Sequence, residues 1–396
     1  MPEAPLIVLG AGTPWDGVPG TDRRMAAELL RHSRVLWVDP AFSVVTRQGL
    51  RQGTARRFGP SLDEPEPGLI RLRPVAPPLH TRRQMRAATR AVLRAQIDHA
   101  LRRLGQRPYA VIDSRMGRML RGWEPGVRRV LYGTDDFVGG AELMGGDADE
   151  VRRDERVSLD SADVVLAVSP TLAERWRGLG ARDVVLLPNG VTIPRLGEAG
   201  DVVPEAGLPH PVAGVVGQLS ARIDFDLLEA LSDAGVSLLL VGPRDPRWEP
   251  IRFERLVERP HVVWTDRQPH SALPGWLRQM DVGVTPYADS AFNRASFPLK
   301  TLEYLAAGLP AVSTDLPATR WLGTGLITVA HDRDGFVAAV RNAARRASEP
   351  ILIAERRAFA AQHSWRVRGE QLAAVLGLTT TPADRPGTEE TPAWQS

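Results

Sequence analysis

Short apolar segments alternate with helical segments along most of this 396-residue chain, and the alternation runs twice. In the first run the apolar segments lie at residues 6–10, 35–38, 70–72, 110–112, 130–132, 164–168 and 184–187. In the second run they lie at residues 212–216, 237–241, 261–264, 282–285, 311–314 and 326–329. Helical segments at 21–32, 81–104, 147–161, 171–179, 224–233, 274–280 and 335–346 separate most of them. The pattern predicts an α/β fold with two Rossmann-like, doubly wound domains, each a parallel sheet covered on both faces.

The domain boundary is predicted from a span rich in proline and glycine, Pro194–Pro211, which interrupts the alternation. The first domain is expected to cover residues 1–195, the linker residues 196–211 and the second domain residues 212–350. Residues 351–378 return to a helical pattern. The last segment, 379–396, contains almost nothing apolar and is expected to be disordered.

Composition excludes several classes of protein. The chain has no cysteine, which excludes disulfides and thiolate metal sites. Its apolar runs are shorter than a membrane span, and its first residues lack the pattern of a secretory signal. A cytoplasmic location is therefore expected. The net charge of +3 is small for this length and does not indicate nucleic acid as a partner.

A basic helix is predicted at residues 81–104. Its arginines are Arg82, Arg83, Arg86, Arg90, Arg94, Arg102 and Arg103, and an apolar stripe is expected along Met85, Ala88, Val92, Ile97, Leu101 and Leu104. Such a helix suits peripheral contact with anionic lipid at the inner membrane face, or with a phosphorylated acceptor. A solvated arginine-rich face explains the same pattern.

The segment Ser296–Asp315 carries the strongest local signals. Ser296 suits an N-cap and Pro298 the first helical position, so a helix is predicted from here to Gly308, which suits a helix end. A short buried strand is predicted at Ala311–Thr314. The free amides at a helix start attract an anion, so this segment is a candidate phosphate site.

Lys300, in the first turn of that helix, is the only lysine among 50 lysines and arginines. The bias towards arginine elsewhere indicates that this position needs an ammonium group, which a crowded phosphate site requires. An ammonium is also unfavourable at the positive end of a helix unless something compensates it. A surface ion pair between Lys300 and Glu303 is the simpler explanation.

The run Phe-Pro-Leu-Lys-Thr-Leu-Glu-Tyr-Leu-Ala-Ala-Gly-Leu-Pro-Ala-Val resembles the donor-site segment of nucleotide-sugar glycosyltransferases of the two-domain GT-B fold. It is most similar to the bacterial teichuronic-acid-type, family-4-like branch. The resemblance implies that Glu303 holds the donor ribose hydroxyls and that Lys300, with the backbone amides around Leu299, holds the diphosphate. Ser296 and Thr301 complete that expected set. It also implies that the helices at 351–378 cross back onto the first domain.

One departure bears on stereochemistry. Many retaining relatives carry a second acid eight residues before the glutamate, and this chain has Ala295 there. Retention and inversion both remain open. The resemblance implies a nucleoside diphosphate sugar as donor, with a UDP-sugar as the first candidate. It also implies a hydroxyl acceptor such as a natural product or a surface glycan.

Two further groups of donor-binding residues are expected. Gly217 follows the first strand of the second domain, where a glycine allows close approach to a phosphate, and Arg222 is a candidate second cation. An ordinary surface arginine in a turn is the alternative. The resemblance implies that the nucleobase lies at Trp264, Thr265 and Asp266, although a place in the hydrophobic core is the favoured explanation of Trp264.

Catalytic carboxylates are sought in the first domain. An inverting enzyme needs a general base at the acceptor hydroxyl. Asp16, Asp135 and Asp136 follow predicted strands and are the candidates, with Asp113 a weaker choice. Each is also explained as a carboxylate that caps a loop. Asn189–Gly190 resembles the turn at the family's domain boundary and is interpreted as structural.

No metal and no other cofactor is expected. Three Asp-x-Asp patterns, at 147–149, 224–226 and 332–334, match a metal-binding pattern too short to be specific, and all precede helices that aspartates cap. The main alternative is an oxidoreductase, because Gly10-x-Gly12 and Asp39 imitate a dinucleotide fingerprint. Trp15 stands in place of its third glycine. A catalytically inactive protein that binds nucleotide sugars is the remaining alternative.

Overall fold

The computed structural model describes residues 4–17, 19–43, 59–80, 82–141, 146–194 and 201–378. The predicted disorder of 379–396 and the first part of the predicted linker lie outside these ranges.

The first domain contains a mixed sheet of eight strands. Together with two short strands outside this sheet, the strands of the domain are β1 (Leu6–Gly10), β2 (Arg34–Val38), β3 (Phe42–Ser43), β4 (Ser61–Glu66), β5 (Leu69–Arg73), β6 (Val75–Ala76), β7 (Pro108–Asp113), β8 (Arg128–Gly133), β9 (Val164–Ala167) and β10 (Val184–Leu186). Its helices are α1 (Thr21–Leu29), α2 (Arg86–Leu104), α3 (Ala148–Ser161) and α4 (Pro170–Gly178). The strand order is β10-β9-β8-β7-β1-β2-β5-β4, and β3 pairs separately with β6.

The second domain contains a parallel sheet of six strands. These are β11 (Val212–Val216), β12 (Ser237–Val241), β13 (Val262–Trp264), β14 (Val282–Thr285), β15 (Ala311–Thr314) and β16 (Ile327–Ala330), in the order β13-β12-β11-β14-β15-β16. The helices are α5 (Phe225–Asp233), α6 (Pro250–Val257), α7 (Leu273–Leu277), α8 (Ala291–Ala295), α9 (Leu299–Ala307), α10 (Pro317–Leu322), α11 (Arg333–Arg345), α12 (Pro350–Gln362) and α13 (Trp365–Leu376).

The first sheet is covered on both faces because its strands are apolar on both faces. In β1, Leu6 and Val8 point to a core that includes Leu101 of α2, whereas Ile7 and Leu9 point to a core that includes Met25 of α1. The predicted parallel sheets are confirmed with one exception. The edge strand β4 runs antiparallel to β5, and its charged sequence, which contains a proline, did not suggest a strand.

The two C-terminal helices pack on different domains. α13 packs against α1, where a Cβ on Gly369 would lie 2.3 Å from Glu28 Cβ, and the Tyr109 hydroxyl donates to the Leu376 carbonyl at 3.0 Å. α12 packs instead against α9 of the second domain, where Arg356 Nη1 donates to the Gly308 carbonyl at 3.0 Å. The sequence predicted that the whole of 351–378 packs on the first domain, and the structure places only α13 there.

The described part of the linker contains no helix or strand and packs on the second domain. The Ala206 amide donates to Gln279 Oε1 at 2.7 Å, and the Asp201 amide donates to the Ser271 carbonyl at 3.0 Å. These bonds hold residues 201–211 against the second domain.

Helix α2 differs from the predicted amphipathic helix. Its buried residues are Ile97, Ala100 and Leu101, whereas Ala88 and Val92 of the predicted apolar stripe are exposed. Arg94 is used internally, because Nη1 donates to the Arg121 carbonyl at 3.0 Å. Within the described ranges, the helices are too short or too polar to cross a membrane. Contact of α2 with anionic lipid stays a prediction.

Candidate functional site in the cleft

A cavity of about 480 Å³ lies between the two domains, where the carboxyl ends of β1 and β8 face those of β11 and β14. Ligands bind at this edge of open α/β sheets. We call its two sides the first-domain wall and the second-domain wall. The first-domain wall includes Gly12, Thr13, Thr21, Asp22, Thr134, Asp135, Phe137 and Asn189. The second-domain wall includes Gly217, Arg222, Tyr287, Ser296, Leu299 and Lys300.

The predicted helix of the donor segment begins at Leu299, and Ser296 is not its N-cap. Ser296 instead ends the preceding helix α8, which the sequence analysis missed. Pro298 has φ −80° and ψ 69°, the geometry of an inverse γ-turn, and this turn separates the two helices. The helix end at Gly308, with φ 92°, and the strand Ala311–Thr314 are confirmed.

Lys300 and Glu303 form an ion pair at the edge of the second-domain wall. Lys300 Nζ lies 2.7 Å from Glu303 Oε2, and the two side chains are 24% and 22% exposed. Glu303 therefore compensates the ammonium at the positive end of the helix. The simple ion pair is present, and Lys300 also lines the cavity.

Two of the backbone amides around Leu299 already have protein acceptors. The Leu299 amide donates to the Phe297 carbonyl at 2.9 Å, and the Thr301 amide donates to the Pro298 carbonyl at 3.1 Å. The Thr301 side chain is fully buried beside Thr285. Leu299 itself lines the cavity. The cationic groups of this wall are the side chains of Lys300 and Arg222.

Gly217 brings the backbone after β11 close to the lysine. Its φ of 133° suits glycine alone, and a Cβ at this position would lie 3.6 Å from Lys300 Cε. The loop also crosses the chain at Gly242, where a Cβ would lie 2.0 Å from the Gly217 carbonyl oxygen. Both glycines keep the wall open beside Lys300.

Arg222 is held in place by a side chain that the sequence analysis missed. Its Nε donates to Asn293 Oδ1 at 3.0 Å, and Asn293 Nδ2 donates to the Arg222 and Ala288 carbonyls at 2.9 and 2.8 Å. The guanidinium lies over the rings of Tyr287 and Phe292, 5.3 and 4.7 Å from their centroids. Asn293 could not be identified from sequence because it stands on the unpredicted helix α8.

The predicted nucleobase residues do not line the cavity. Trp264 packs edge-on against Phe253 with centroids 5.1 Å apart, and its Nε1 donates to the Gly242 carbonyl at 2.8 Å. Trp264 therefore lies against the hydrophobic core, as the alternative interpretation of this residue predicted. Thr265 and Asp266 continue the chain after β13, where Asp266 has a φ of 53° and is exposed. Their role in nucleobase binding stays a prediction.

Asp135 is the predicted catalytic carboxylate that reaches the cavity. Its Oδ1 accepts from the Ser296 hydroxyl of the opposite wall at 3.0 Å. Burial raises the pKa of Asp135 above its ordinary value, and the Arg222 charge and the Ser296 hydroxyl offset part of that rise. Asp135 thus lies where the two walls meet.

The other predicted carboxylates have structural partners away from the cavity. Asp16 is 74% exposed and lies 2.8 Å from Arg71 Nη1. Asp136 accepts from the Gly139 amide at 3.0 Å and from Arg175 Nη2 at 3.2 Å. Asp113 accepts from three backbone amides of the loop after β7, those of Arg115, Gly117 and Met119. Asp136 and Asp113 thus match the loop-capping interpretation.

Asp22 is a site residue that the sequence analysis missed. It stands in the first turn of α1, where an acid is ordinary, so nothing in its pattern singled it out. Its Oδ2 accepts from the Gly12 amide at 2.7 Å. Burial raises its pKa to about 6, although the Gly12 amide, Ser114 and Arg115 lower it. Its neighbour Thr21 donates to Asn189 Oδ1 at 2.7 Å, so the turn interpreted as structural also lines the site.

The Asp-x-Asp patterns cap helices. Asp147, Asp224 and Asp332 each accept a backbone amide at the start of α3, α5 and α11. Among the described residues, no three histidine or acidic side chains form a group that could hold a metal ion. Metal independence stays an expectation, and the three aspartates have a structural role.

The residues that imitate a dinucleotide fingerprint have structural partners in the core. Asp39, in the place of the ribose-binding acid, accepts from the Trp15 amide at 2.8 Å and from Trp37 Nε1 at 2.7 Å. The two indoles pack edge-on with centroids 5.1 Å apart. Asp39 therefore supports the packing of the loop after β1, and the oxidoreductase alternative loses the residue on which it depended.

The family model that matches this chain covers the second domain. Residues 211–346 match the family model described as Glycosyl transferases group 1. Over 110 residues the chain is 37% identical to the putative teichuronic acid biosynthesis glycosyltransferase TuaH of Bacillus subtilis, strain 168. That match covers 27% of this chain and 28% of TuaH, so the chain spans about a quarter of this curated relative.

Solved structures match both domains. Sucrose-phosphate synthase from Thermosynechococcus elongatus has a TM-score of 0.70 at 19% identity, over 94% of this chain and 98% of that chain. HepE from Anabaena, in complex with UDP-glucose, has a TM-score of 0.61 at 14% identity, over 94% and 99%. At these identities the likeness concerns the fold.

Proposed function

We propose that this chain, whose fold is GT-B and whose second domain is a group 1 glycosyl transferase domain, transfers a sugar from a nucleoside diphosphate sugar to a hydroxyl of an acceptor. The resemblance of the chain to the teichuronic-acid-type enzymes is confirmed by the match to TuaH. A UDP-sugar is the first candidate donor, because HepE, a similar structure, is in complex with UDP-glucose. A natural product or a surface glycan is the proposed acceptor.

One observation carries the proposal: two cations, Lys300 and Arg222, line the same wall of the cleft beside a glycine turn. A leaving diphosphate develops negative charge as the glycosidic bond breaks, and fixed cations stabilise it. Arg222 is held by Asn293, so its guanidinium is oriented before a ligand arrives. The proposed transfer uses these side chains and no metal.

Glu303 gives the donor site a second function. In the structure it neutralises Lys300. We propose that ribose hydroxyls of the donor take Glu303 while the diphosphate takes Lys300. The ion pair is then exchanged for two contacts with one ligand, and both charges remain compensated.

Asp135 is the proposed catalytic carboxylate of the three predicted from the sequence. It lines the cavity, whereas Asp16 and Asp136 are engaged elsewhere. Its raised pKa makes it a better proton acceptor than an ordinary aspartate. Its contact with Ser296 places it next to the donor wall.

The test is a calorimetric titration of UDP, GDP, dTDP and NAD into the wild type, Lys300→Ala and Glu303→Ala. We expect one nucleoside diphosphate to bind. Loss of a charged partner should weaken it by roughly 1.5–3 kcal/mol, about ten- to a hundredfold or more. The ion pair Arg346–Glu349 has the same i,i+3 spacing and the same 2.7 Å distance, and neither residue lines the cavity, so Arg346→Ala and Glu349→Ala are matched controls.

Two outcomes would reject the proposal. One is that none of the nucleotides binds. The other is that NAD binds and the substitutions at Lys300 and Glu303 have no more effect than the control substitutions. Turnover of the donor that binds, measured with and without candidate acceptors, separates an enzyme from a protein that only binds nucleotide sugars.

A further inference from the structure

The short helix α8 of the second domain is held in part by the first domain. It has five residues, Ala291–Ala295, and a helix of this length does not persist in water without tertiary contacts. The first domain supplies two of these contacts. The Ser169 hydroxyl, at the start of α4, donates to the Ala295 carbonyl. The backbone at Gly140 lies against the ring of Phe292. The position of α8 therefore depends on how the first domain meets it.

The contact at Gly140 leaves no room for a side chain. A Cβ on Gly140 would lie 2.7 Å from Phe292 Cε2. The φ of Gly140 lies outside the left-handed region, so the contact with Phe292, and not the backbone conformation, requires glycine here. Asp136 fixes the loop, because its carboxylate accepts from the Gly139 amide at 3.0 Å and its carbonyl accepts from the Gly140 amide at 2.8 Å. The loop thus presents a fixed surface to α8.

Two residues of α8 also hold Arg222. The guanidinium carbon lies 4.7 Å from the centroid of the Phe292 ring, and Arg222 Nε donates to Asn293 Oδ1 at 3.0 Å. Asn293 is buried, and its Nδ2 is bonded to two carbonyls, so its side chain cannot reorient independently of the helix. A displacement of α8 would therefore displace the groups that orient Arg222.

We propose that Gly140 and Ser169 are positioning residues for the sugar donor: they hold α8, and α8 directs the Arg222 guanidinium towards the diphosphate. The inference rests on the proposed function, which gives Arg222 that role. Neither positioning residue lines the cavity, so donor affinity depends on first-domain residues that do not touch the donor. Asp136, predicted as a catalytic carboxylate, acts one step further away by fixing the Gly140 loop.

The variant Gly140→Ala tests the contact directly, because the added methyl group must displace Phe292. UDP, GDP and dTDP are titrated into the full chain by calorimetry. For the nucleotide that the wild type binds, Gly140→Ala should raise the Kd by about three- to tenfold. The matched control is Gly325→Ala, since a Cβ on Gly325 would meet nothing within 4 Å and this residue does not line the cavity. It should change the Kd by less than about twofold.

The variant Ser169→Ala removes the second contact. Ser169 is also the N-cap of α4, where its Oγ accepts from the Leu172 amide at 3.2 Å. The control is therefore Asp147→Ala, which removes the N-cap of α3 in the same domain. Ser169→Ala should raise the Kd of the bound nucleotide by about threefold or more, and Asp147→Ala should leave it within about twofold.

A double-mutant cycle separates an effect through Arg222 from a general loss of packing. The double variant Gly140→Ala with Arg222→Ala should bind the nucleotide no more weakly than Arg222→Ala alone. Additive losses would overturn the proposal, and so would a Gly140→Ala variant that binds as tightly as the wild type. If Gly140→Ala does not fold, Ser169→Ala decides by the same two criteria. A wild type that binds none of the nucleotides would instead reject the proposed function, so the two failures are distinguishable.

Discussion

The two walls of the cleft solve the burial of charge in opposite ways. On the second-domain wall, Lys300 is paired with Glu303 and Arg222 with Asn293, so the cations have partners before a ligand binds. On the first-domain wall, Asp22 and Asp135 are buried carboxylates with raised pKa values, and Asp22 Oδ1 accepts no hydrogen bond within the described residues. The cations of the second-domain wall are therefore oriented by protein partners, whereas the carboxylates of the first-domain wall are shifted towards their protonated forms by burial.

The largest expected effect concerns pH. Burial raises the pKa of Asp22 from 3.8 to about 6, so the folded state binds more protons than the unfolded state between these values, and stability falls as pH rises through them. Asp22→Asn lacks this dependence. The stability of the variant relative to the wild type should rise by about 2–3 kcal/mol between about pH 4 and about pH 7. Urea unfolding across this range measures it.

His363 acts in the opposite direction over the same range. Burial and Arg368 lower its pKa to about 4, so its contribution to stability is lost as pH falls from its unfolded value towards 4. Both proteins share this term, and it cancels in their difference. Parallel pH profiles for wild type and Asp22→Asn would show that the two walls do not differ in this way.

The next largest effect is expected from the loss of one buried hydrogen bond beside the second-domain wall. The Tyr304 hydroxyl accepts from the buried Val216 amide at 2.9 Å, and Tyr304→Phe leaves that amide without a partner. We expect a loss of about 1–3 kcal/mol in the free energy of unfolding. Tyr109→Phe is the control, since its half-exposed hydroxyl contacts the last turn of α13, and it should cost less. Equal losses of unfolding free energy in Tyr304→Phe and Tyr109→Phe would contradict a preorganised second-domain wall.

A smaller effect is expected when Arg222 keeps its charge but loses its orientation. Asn293→Ala removes the group that holds the guanidinium and should weaken nucleoside diphosphate binding by up to about tenfold. Arg222→Ala should weaken it at least as much, and the double variant no more than Arg222→Ala alone. Additive losses in a calorimetric double-mutant cycle would show that Asn293 acts independently of Arg222.

The smallest effect should come from a contact that joins the two domains at the surface. Arg24 Nη2 of α1 lies 3.1 Å from His270 Nε2 of the second domain. Both side chains reach solvent, so Arg24→Ala should change the free energy of unfolding by only a few tenths of a kcal/mol. A change above about 1 kcal/mol in chemical denaturation would make this contact a main link between the walls.

The second-domain wall was also the easier wall to predict. Residues 297–315 lie in one continuous segment, and the helix end at Gly308 and the strand Ala311–Thr314 follow from local rules that involve neighbours in the chain. Lys300 attracted attention because it is the single lysine. Such signals need no knowledge of the tertiary fold.

The first-domain wall depends on contacts between residues that are distant in the sequence. Ser296 was interpreted as a helix cap, but its hydroxyl bonds to Asp135, 161 positions earlier. Asp22 looks like an ordinary acid at a helix start, and its importance comes from burial by segments around Gly12, Thr134 and Asn189. Neither partner is visible in the local pattern, so burial and pairing here required the structure.

The chain passes between the domains twice, and the two crossings touch. After β10 it leaves the first domain at Val191, and it returns through His363 and Ser364 to form α13. At that point the Val191 amide donates to the His363 carbonyl at 2.8 Å, and the Trp365 amide donates to the Val191 carbonyl at 3.2 Å. Gly190 permits this approach, since a Cβ there would lie 2.7 Å from the Trp365 backbone. The two crossings thus form one bonded seam, in addition to the contacts that Ser296 makes with Asp135 and that Arg24 makes with His270. Any rotation between the domains is expected to have its axis near this seam, because both chain connections cross there.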